Sequence, residues 1–315
     1  MRRRGTRYFV LFCLLLVAGI VWEAIMERNE KSNYPPIGEY VDLGSYQAHY
    51  YSKGEGETVF VFITGSGTPC AYTDFYGLQK QLSKYGQTIT FDHAGSGWSK
   101  TTKEPRKIAN LVEELSILID KVAGEKKVVL VCHSLGSLEA IGYAQKYPER
   151  MSGMIFLDSG TPQFYSTDSE LKAIVMNRGF ACIRAIGLNR LLTGIGVYLP
   201  LYGENVRHSK LEGEVRTIDQ AMYYRFVGNT KTLDTVRWMN ENAKTILRGP
   251  SLGELPILVL SSDSGKEWKA VQTELAGWSK NSKQSTIRKA GHYLHWTNDK
   301  EVIKQIEEFI KTSII

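Results

Sequence analysis

Apolar residues along this chain fall into short continuous runs that alternate with stretches of helical period. "TVFVFITG" (58–65), "QTITFDHAG" (87–95), "KKVVLVCHS" (126–134) and "MSGMIFLDSG" (151–160) are apolar, β-branched runs. Such runs predict strands buried on both faces. "EYVDLGSYQAHYYSKG" (39–54) alternates instead. Its two halves flank Gly44-Ser45, and Gly54 and Gly56 close the second, which predicts a hairpin. "IANLVEELSILIDKV" (108–122) places Ile108, Leu111, Val112, Leu115, Leu118 and Ile119 at helical spacing. "LGSLEAIGYAQKYPER" (135–150) reads as a helix ended by Pro148. Strand and helix in alternation specify an α/β fold, a mostly parallel sheet with helices on both faces. The alternation breaks at about Thr161, and from there to Gly253 the chain reads as short helices. "LPILVLSSD" (255–263) and "KQSTIRKAGHY" (283–293) resume the sheet, and "DKEVIKQIEEFIKTSI" closes it with a helix. One α/β domain over 38–315, with a helical insert at about 161–253, is therefore expected.

The N-terminus follows another pattern. Basic "MRRRGTR" precedes fifteen uncharged residues, Tyr8 to Trp22, before Glu23 interrupts. A spanning helix needs about 20 apolar residues and at least ~17. The run is short for a span and long for a secretory h-region, and no A-x-A cleavage site follows it. An uncleaved signal-anchor over 1–28 is favoured over a cleaved signal peptide or a buried helix, with a polar linker over 29–37. Both export readings leave the basic end in the cytoplasm and the body outside.

Composition adds exclusions. Of 315 residues, 43% are hydrophobic and 23% charged, ordinary for a folded globular chain large enough to need no disulfide staple. Four of the 39 basic residues are Arg2, Arg3, Arg4 and Arg7; without them 35 stand against 33 acidic, a surplus of two. That balance, with no basic stripe, argues against nucleic acid as a partner. Cys13 lies in the anchor, leaving Cys70, Cys132 and Cys182, an odd number in the body. There is no C-x-x-C and no zinc-ligand spacing; His292-x-x-His295 is a weak metal motif, so no metal or other cofactor is expected. Oligomeric state stays open.

Ligands of open α/β sheets bind beyond the carboxyl ends of the strands. Thr64-Gly65-Ser66-Gly67 follows the first long run, and Asp92-His93-Ala94-Gly95-Ser96-Gly97-Trp98-Ser99 the next. Cys132-His133-Ser134-Leu135-Gly136 follows the third, then come Asp158, Asp263 and Gly291-His292. A serine, two acids and a histidine thus fall on one edge of one sheet.

From about Gly38 onward these motifs resemble the α/β-hydrolase superfamily, in its haloalkane dehalogenase and epoxide hydrolase-like branch with a helical cap. "CHSLGS" resembles the nucleophile elbow, "DHAGSGWS" that branch's D-x-x-G-x-G-x-S loop, and "AGHYLH" the histidine loop. They occur in the family's order Ser…Asp…His. The resemblance implies Ser134 as nucleophile and His292 as its base. It implies Asp158 as the acid if the chain follows members that carry it one strand early, with Asp263 as the alternative. Backbone N–H groups of Ser66 and Leu135 would form the oxyanion hole. Two departures matter. Cys132 stands in a slot where the family has Gly, and a buried Cys is a small hydrophobe. Dehalogenases and epoxide hydrolases use an Asp nucleophile, so Ser134 argues against both activities. His133 is expected beside the oxyanion loop, His93 as a support of the Gly-rich loop and His295 in a local bond; His49 and His208 carry no signal.

The implied function is a serine hydrolase, foremost a carboxylic ester hydrolase for a small or medium apolar acyl group. Alternatives are a slow or non-catalytic binding protein on the same scaffold, or a peptidase, acyltransferase or carbon–carbon hydrolase. The apolar cap stretch "FACIRAIGLNRLLTGIGVYLPLY" (180–202) offers an acyl pocket or plain cap packing.

Overall fold

The computed structural model describes residues 2–199 and 203–315, so Pro200 to Tyr202 of that cap stretch lie outside the described residues. A long helix α1 (Arg2–Asn33) leads into the hairpin β1 (Glu39–Asp42) and β2 (Gln47–Lys53). Then follow β3 (Val59–Ile63), α2 (Ala71–Asp74), α3 (Tyr76–Leu82), β4 (Gln87–Phe91), α4 (Ile108–Ala123), β5 (Val128–His133), α5 (Gly136–Lys146) and β6 (Met151–Leu157). Seven helices come next: α6 (Pro162–Thr167), α7 (Glu170–Ala185), α8 (Leu188–Gly194), α9 (Gly203–Lys210), α10 (Gly213–Phe226), α11 (Thr230–Arg237) and α12 (Met239–Leu247). The chain ends with β7 (Ile257–Ser262), α13 (Lys266–Ala276), β8 (Ser282–Ile287), α14 (Leu294–Thr297) and α15 (Asp299–Phe309).

The eight strands form one sheet in the order β1-β2-β4-β3-β5-β6-β7-β8. β2 runs antiparallel to β1 and β4, and the remaining pairs are parallel. β3 and β5 are fully buried because their alternate side chains feed two cores. Val59, Val61, Ile63, Val128 and Leu130 pack with α4 and α5 on one face. Phe60, Phe62, Val129 and Val131 pack with α3 and α15 on the other. Each such side chain contributes roughly 1.5–3 kcal/mol on burial. The long apolar runs thereby become the rigid centre of the sheet, and β5 sits in the middle of it. β8 stops at Ile287, earlier than the sequence expectation, because the backbone turns at Lys289 (φ 56°) to start the histidine loop.

The N-terminal helix differs most from expectation. It continues through Asn33, so residues 29–33 are helical rather than linker. Gly19, Glu23, Met26 and Glu30 are withdrawn from solvent along one face, at spacings of three and four. That face lies on the cap. Arg190 of α8 donates to Glu23 from Nε (2.6 Å) and Nη2 (3.1 Å), and to Glu30 Oε2 from Nη2 (3.0 Å). The Arg190 guanidinium also lies 4.3 Å from the centre of the Tyr224 ring. Gly19 permits this approach, since a Cβ there would stand 2.2 Å from the Ile186 carbonyl oxygen. Removing one partner of such a buried cluster strands the others at roughly 3–5 kcal/mol. Arg4–Asn33 is long and apolar enough to cross a membrane, and its apolar part is almost wholly exposed.

Candidate active site

Between β5 and α5 the backbone reverses at Ser134, whose φ of 53° is the left-handed region that non-glycine residues avoid. The turn is pinned by Ser134 N–H donating to Leu157 O (3.3 Å) and Ser137 N–H to Ser134 O (3.2 Å). A Cβ at Gly136 would stand 2.8 Å from Thr64 O, so only glycine lets α5 begin against the loop after β3. Cys132, where the family has Gly, is accommodated by facing the sheet interior. It is fully buried and its Sγ lies 3.6 Å from Ile155 O. Burial pushes the thiol well above its usual range, which makes it unreactive.

Asp158 ends β6 at another positive φ, 45°. Its buried carboxyl accepts from Ser262 N–H (2.6 Å) and Trp268 Nε1–H (2.8 Å) on Oδ1. Oδ2 accepts from Ser262 Oγ–H (3.1 Å) and lies 2.8 Å from His292 Nδ1. Four partners match the four acceptor positions of a carboxylate. Asp263, the alternative acid, is exposed, and its Oδ2 accepts from Lys289 N–H (2.7 Å) instead. That bond shapes the turn before the histidine loop. With Nδ1 of His292 occupied, its Nε2 is the nitrogen left to face a reacting group, and the side chain is 39% exposed.

His133 is engaged by the histidine loop. Its Nε2–H donates to the His292 carbonyl (3.0 Å), and its ring lies 4.7 Å from His292, 4.8 Å from Tyr293 and 5.0 Å from His295. It holds the histidine loop in place from below. Burial first, then the His292 and His295 rings, keep its pKa well below 6.5, outweighing the upward pull of Asp74. The unfolded chain protonates this imidazole near 6.5 and the folded one does not. The stability it confers is therefore present above pH 6.5 and is lost as pH falls below it. From about pH 7.5 to about pH 5.5, wild type is expected to lose about 1.4 kcal/mol more unfolding free energy than His133→Asn. Urea unfolding at both pH values measures this, and equal losses would remove the assignment.

The other histidines meet neighbouring polar side chains. His93 bridges Glu139 (2.7 Å) and Thr64 Oγ1 (3.2 Å), and His295 lies 3.6 Å from Asp74. His208 lies 3.1 Å from Arg216 Nε in the cap. His49, which the sequence left without a role, lies 2.9 Å from Asp92 Oδ2. Asp92 also accepts from Ala71 N–H (2.7 Å) and Trp98 N–H (3.2 Å), which makes it the fixed point of the Gly-rich loop. Three further site residues escaped the sequence reading. Ser262 and Trp268 hold Asp158; the buried Tyr165 phenol accepts Gly160 N–H (3.3 Å), and burial pushes its pKa up against the opposing pull of Ser134. Only Ser262, the last residue of β7, had a positional signal.

Residues 64–68, Leu135, Gly136, Leu138 and Met239 line a cavity of ≈ 70 Å³. Ser66, Gly67 and Thr232 also belong to a second cavity of ≈ 190 Å³ that continues toward the cap, past Met176, Phe180, Val227 and Tyr293. Of the apolar stretch 180–199 only Phe180 lines these cavities, while Leu188, Leu191 and Ile195 are exposed. The expected acyl wall therefore comes mainly from the opposite end of α7 and from neighbouring helices.

A family model described as alpha/beta hydrolase fold matches residues 58–299. Uncharacterized protein YbdG of Bacillus subtilis (strain 168) is 28% identical over 256 residues, 81% of this chain and 77% of that protein. A proline iminopeptidase of Saccharolobus solfataricus is 32% identical over 136 residues, 42% of this chain and 43% of the iminopeptidase. Among solved structures, a thermophilic esterase from Thermogutta terrifontis superposes with a TM-score of 0.65 at 19% identity, over 88% of this chain and 100% of the esterase. That last likeness speaks for the fold alone, whereas the family match runs from β3 through the cap to the start of α15: the chain belongs to the α/β-hydrolase family.

Proposed function

We propose that this chain is a serine hydrolase that cleaves carboxylic esters of small or medium apolar acyl groups. Ser134 Oγ attacks the acyl carbon while His292 Nε2 takes its proton, forming the C–O bond and a tetrahedral oxyanion. The N–H groups of Ser66 and Leu135 receive that charge, at about 3 kcal/mol per donor. Collapse breaks the ester C–O bond, and His292 returns the proton to the departing alcohol. Water, deprotonated by His292, then releases the acid and regenerates Ser134. Asp158 holds the Nδ1–H tautomer and stabilises the imidazolium that forms.

The observation that carries this reading is the 2.8 Å contact of His292 Nδ1 with a carboxyl cradled by Ser262 and Trp268, on the sheet edge where Ser134 follows β5 at positive φ. The apolar cavity walls support an acyl group. The basic N-terminus before the apolar helix supports a hydrolase body outside the cytoplasm, and the Arg190 contacts with Glu23 and Glu30 support an uncleaved anchor. The test is turnover of p-nitrophenyl acetate, butyrate and octanoate by the full chain in detergent. All three are expected to be cleaved, the longer two with higher kcat/KM. Equal values for acetate and octanoate would remove the acyl pocket, and no turnover would remove the esterase reading.

A further inference from the structure

Outside α1, nine large hydrophobic side chains are exposed among the described residues, and six of them lie between residues 171 and 195. Leu171 and Val175 are one turn apart on α7, with Met176 beside them; Leu188, Leu191 and Ile195 follow at helical spacing on and just after α8. Exposed apolar side chains grouped on two successive helices mark a candidate interaction site. The same 25 residues contain Lys172, Arg178, Arg184 and Arg190 and no acidic residue, and Lys172 and Arg178 are exposed. An apolar face with a basic fringe fits an anionic lipid surface.

The position of α1 identifies the same partner. The turn between α7 and α8 touches α1 where its apolar run ends. Gly19 abuts Ile186, and Gly187 abuts the Trp22 ring. On the membrane reading of α1, that level is the bilayer boundary, where tryptophan concentrates. The Arg190 cluster with Glu23 and Glu30 fixes the cap to the helix just beyond it. These contacts tie the α7–α8 turn and α8 to α1 at the end of its apolar run. α7 has a second face. Ala173, Asn177 and Phe180 line the cavity that reaches Ser66, with Met176 at the edge shared by both, so this one helix stands between the outer patch and the cleft.

We propose that the α7–α8 face of the cap rests on the bilayer that α1 enters, and that the ester substrate is drawn from that lipid surface through the cleft behind α7. The substrate half rests on the serine hydrolase reading above; the docking half does not.

The test uses the full chain in vesicles of phosphatidylcholine and phosphatidylglycerol. For docking, a solvatochromic dye is attached to Val175→Cys in a background with Cys13→Ser and Cys182→Ser. A blue-shifted emission, quenched by brominated lipid, is expected; emission typical of water with no quenching overturns the docking. For delivery, the triple variant Leu171→Glu, Val175→Glu, Leu191→Glu is compared with wild type. Hydrolysis of p-nitrophenyl palmitate held in the vesicles is expected to fall at least about tenfold, since three apolar contacts are lost. Hydrolysis of p-nitrophenyl acetate in water stays unchanged. No loss on the palmitate, or equal loss on both esters, overturns the delivery. A wild type that cleaves neither ester overturns the hydrolase reading and delivery together, while the dye still decides the docking.

Discussion

Asp158→Asn is expected to lower kcat by about 10⁴-fold on p-nitrophenyl acetate while leaving the thermal midpoint near wild type. The amide is nearly the same size, so the Ser262 and Trp268 bonds can persist at its oxygen. At the other position an NH2 would face His292 Nδ1, where an acceptor stands 2.8 Å away in the native site. The imidazole is then held in the wrong tautomer, with its proton where the nucleophile's proton must go. Asp263→Asn is expected to stay within about threefold of wild type, because a surface turn bond is all it alters. The two variants measured side by side separate the acids. If Asp263→Asn carried the large loss instead, the acid role would return to Asp263. If both kept near-full activity, no acid would be assisting His292.

Ser134→Ala is expected to cost more, about 10⁶-fold in kcat, leaving the small residual rate that oxyanion donors and binding provide alone. The backbone strain at φ 53° is the same for alanine, so the fold should be retained. Circular dichroism and a thermal melt check this. Activity within about tenfold of wild type in the folded variant would mean that another group attacks the substrate.

Much of this architecture was legible in the sequence for a physical reason. Strands buried on both faces must be continuous apolar runs, so β3, β4, β5 and β6 announce themselves, and the strand-end rule then gathers Ser134, Asp158 and His292 on one edge. Which aspartate His292 meets was legible only through the resemblance, which put Asp158 first and Asp263 second. Asp158 and Asp263 each end a strand run, and what distinguishes them is where each side chain is received. Lys289 N–H takes Asp263 outward, while Ser262 and Trp268 take Asp158 inward. Those partners are a turn residue, the last residue of β7 and a helix residue, and apolar periodicity marks none of them.

The N-terminal segment shows the opposite failure. Beside its sequence neighbours, Glu23 looks like an interruption of an apolar helix. Its partner, Arg190, lies 167 residues away. Deleting residues 1–28 would remove Glu23 and leave Arg190 with half of its buried partners, so the full chain is the proper form for every assay. The cap stretch from Phe180 misled in a third way. Its apolar content was evident, but helical period does not reveal which side a stripe faces, and Leu188, Leu191 and Ile195 face out.

The proposed chemistry stands or falls on Ser134 as the nucleophile with His292 as its base, and covalent capture addresses that pair without any choice of substrate. The full chain is treated with a fluorophosphonate, digested, and the adduct located by mass spectrometry. A single adduct is expected on Ser134, absent from Ser134→Ala and formed far more slowly in His292→Ala. An adduct on another residue, or a folded wild-type protein that takes up no label, would refute the assignment.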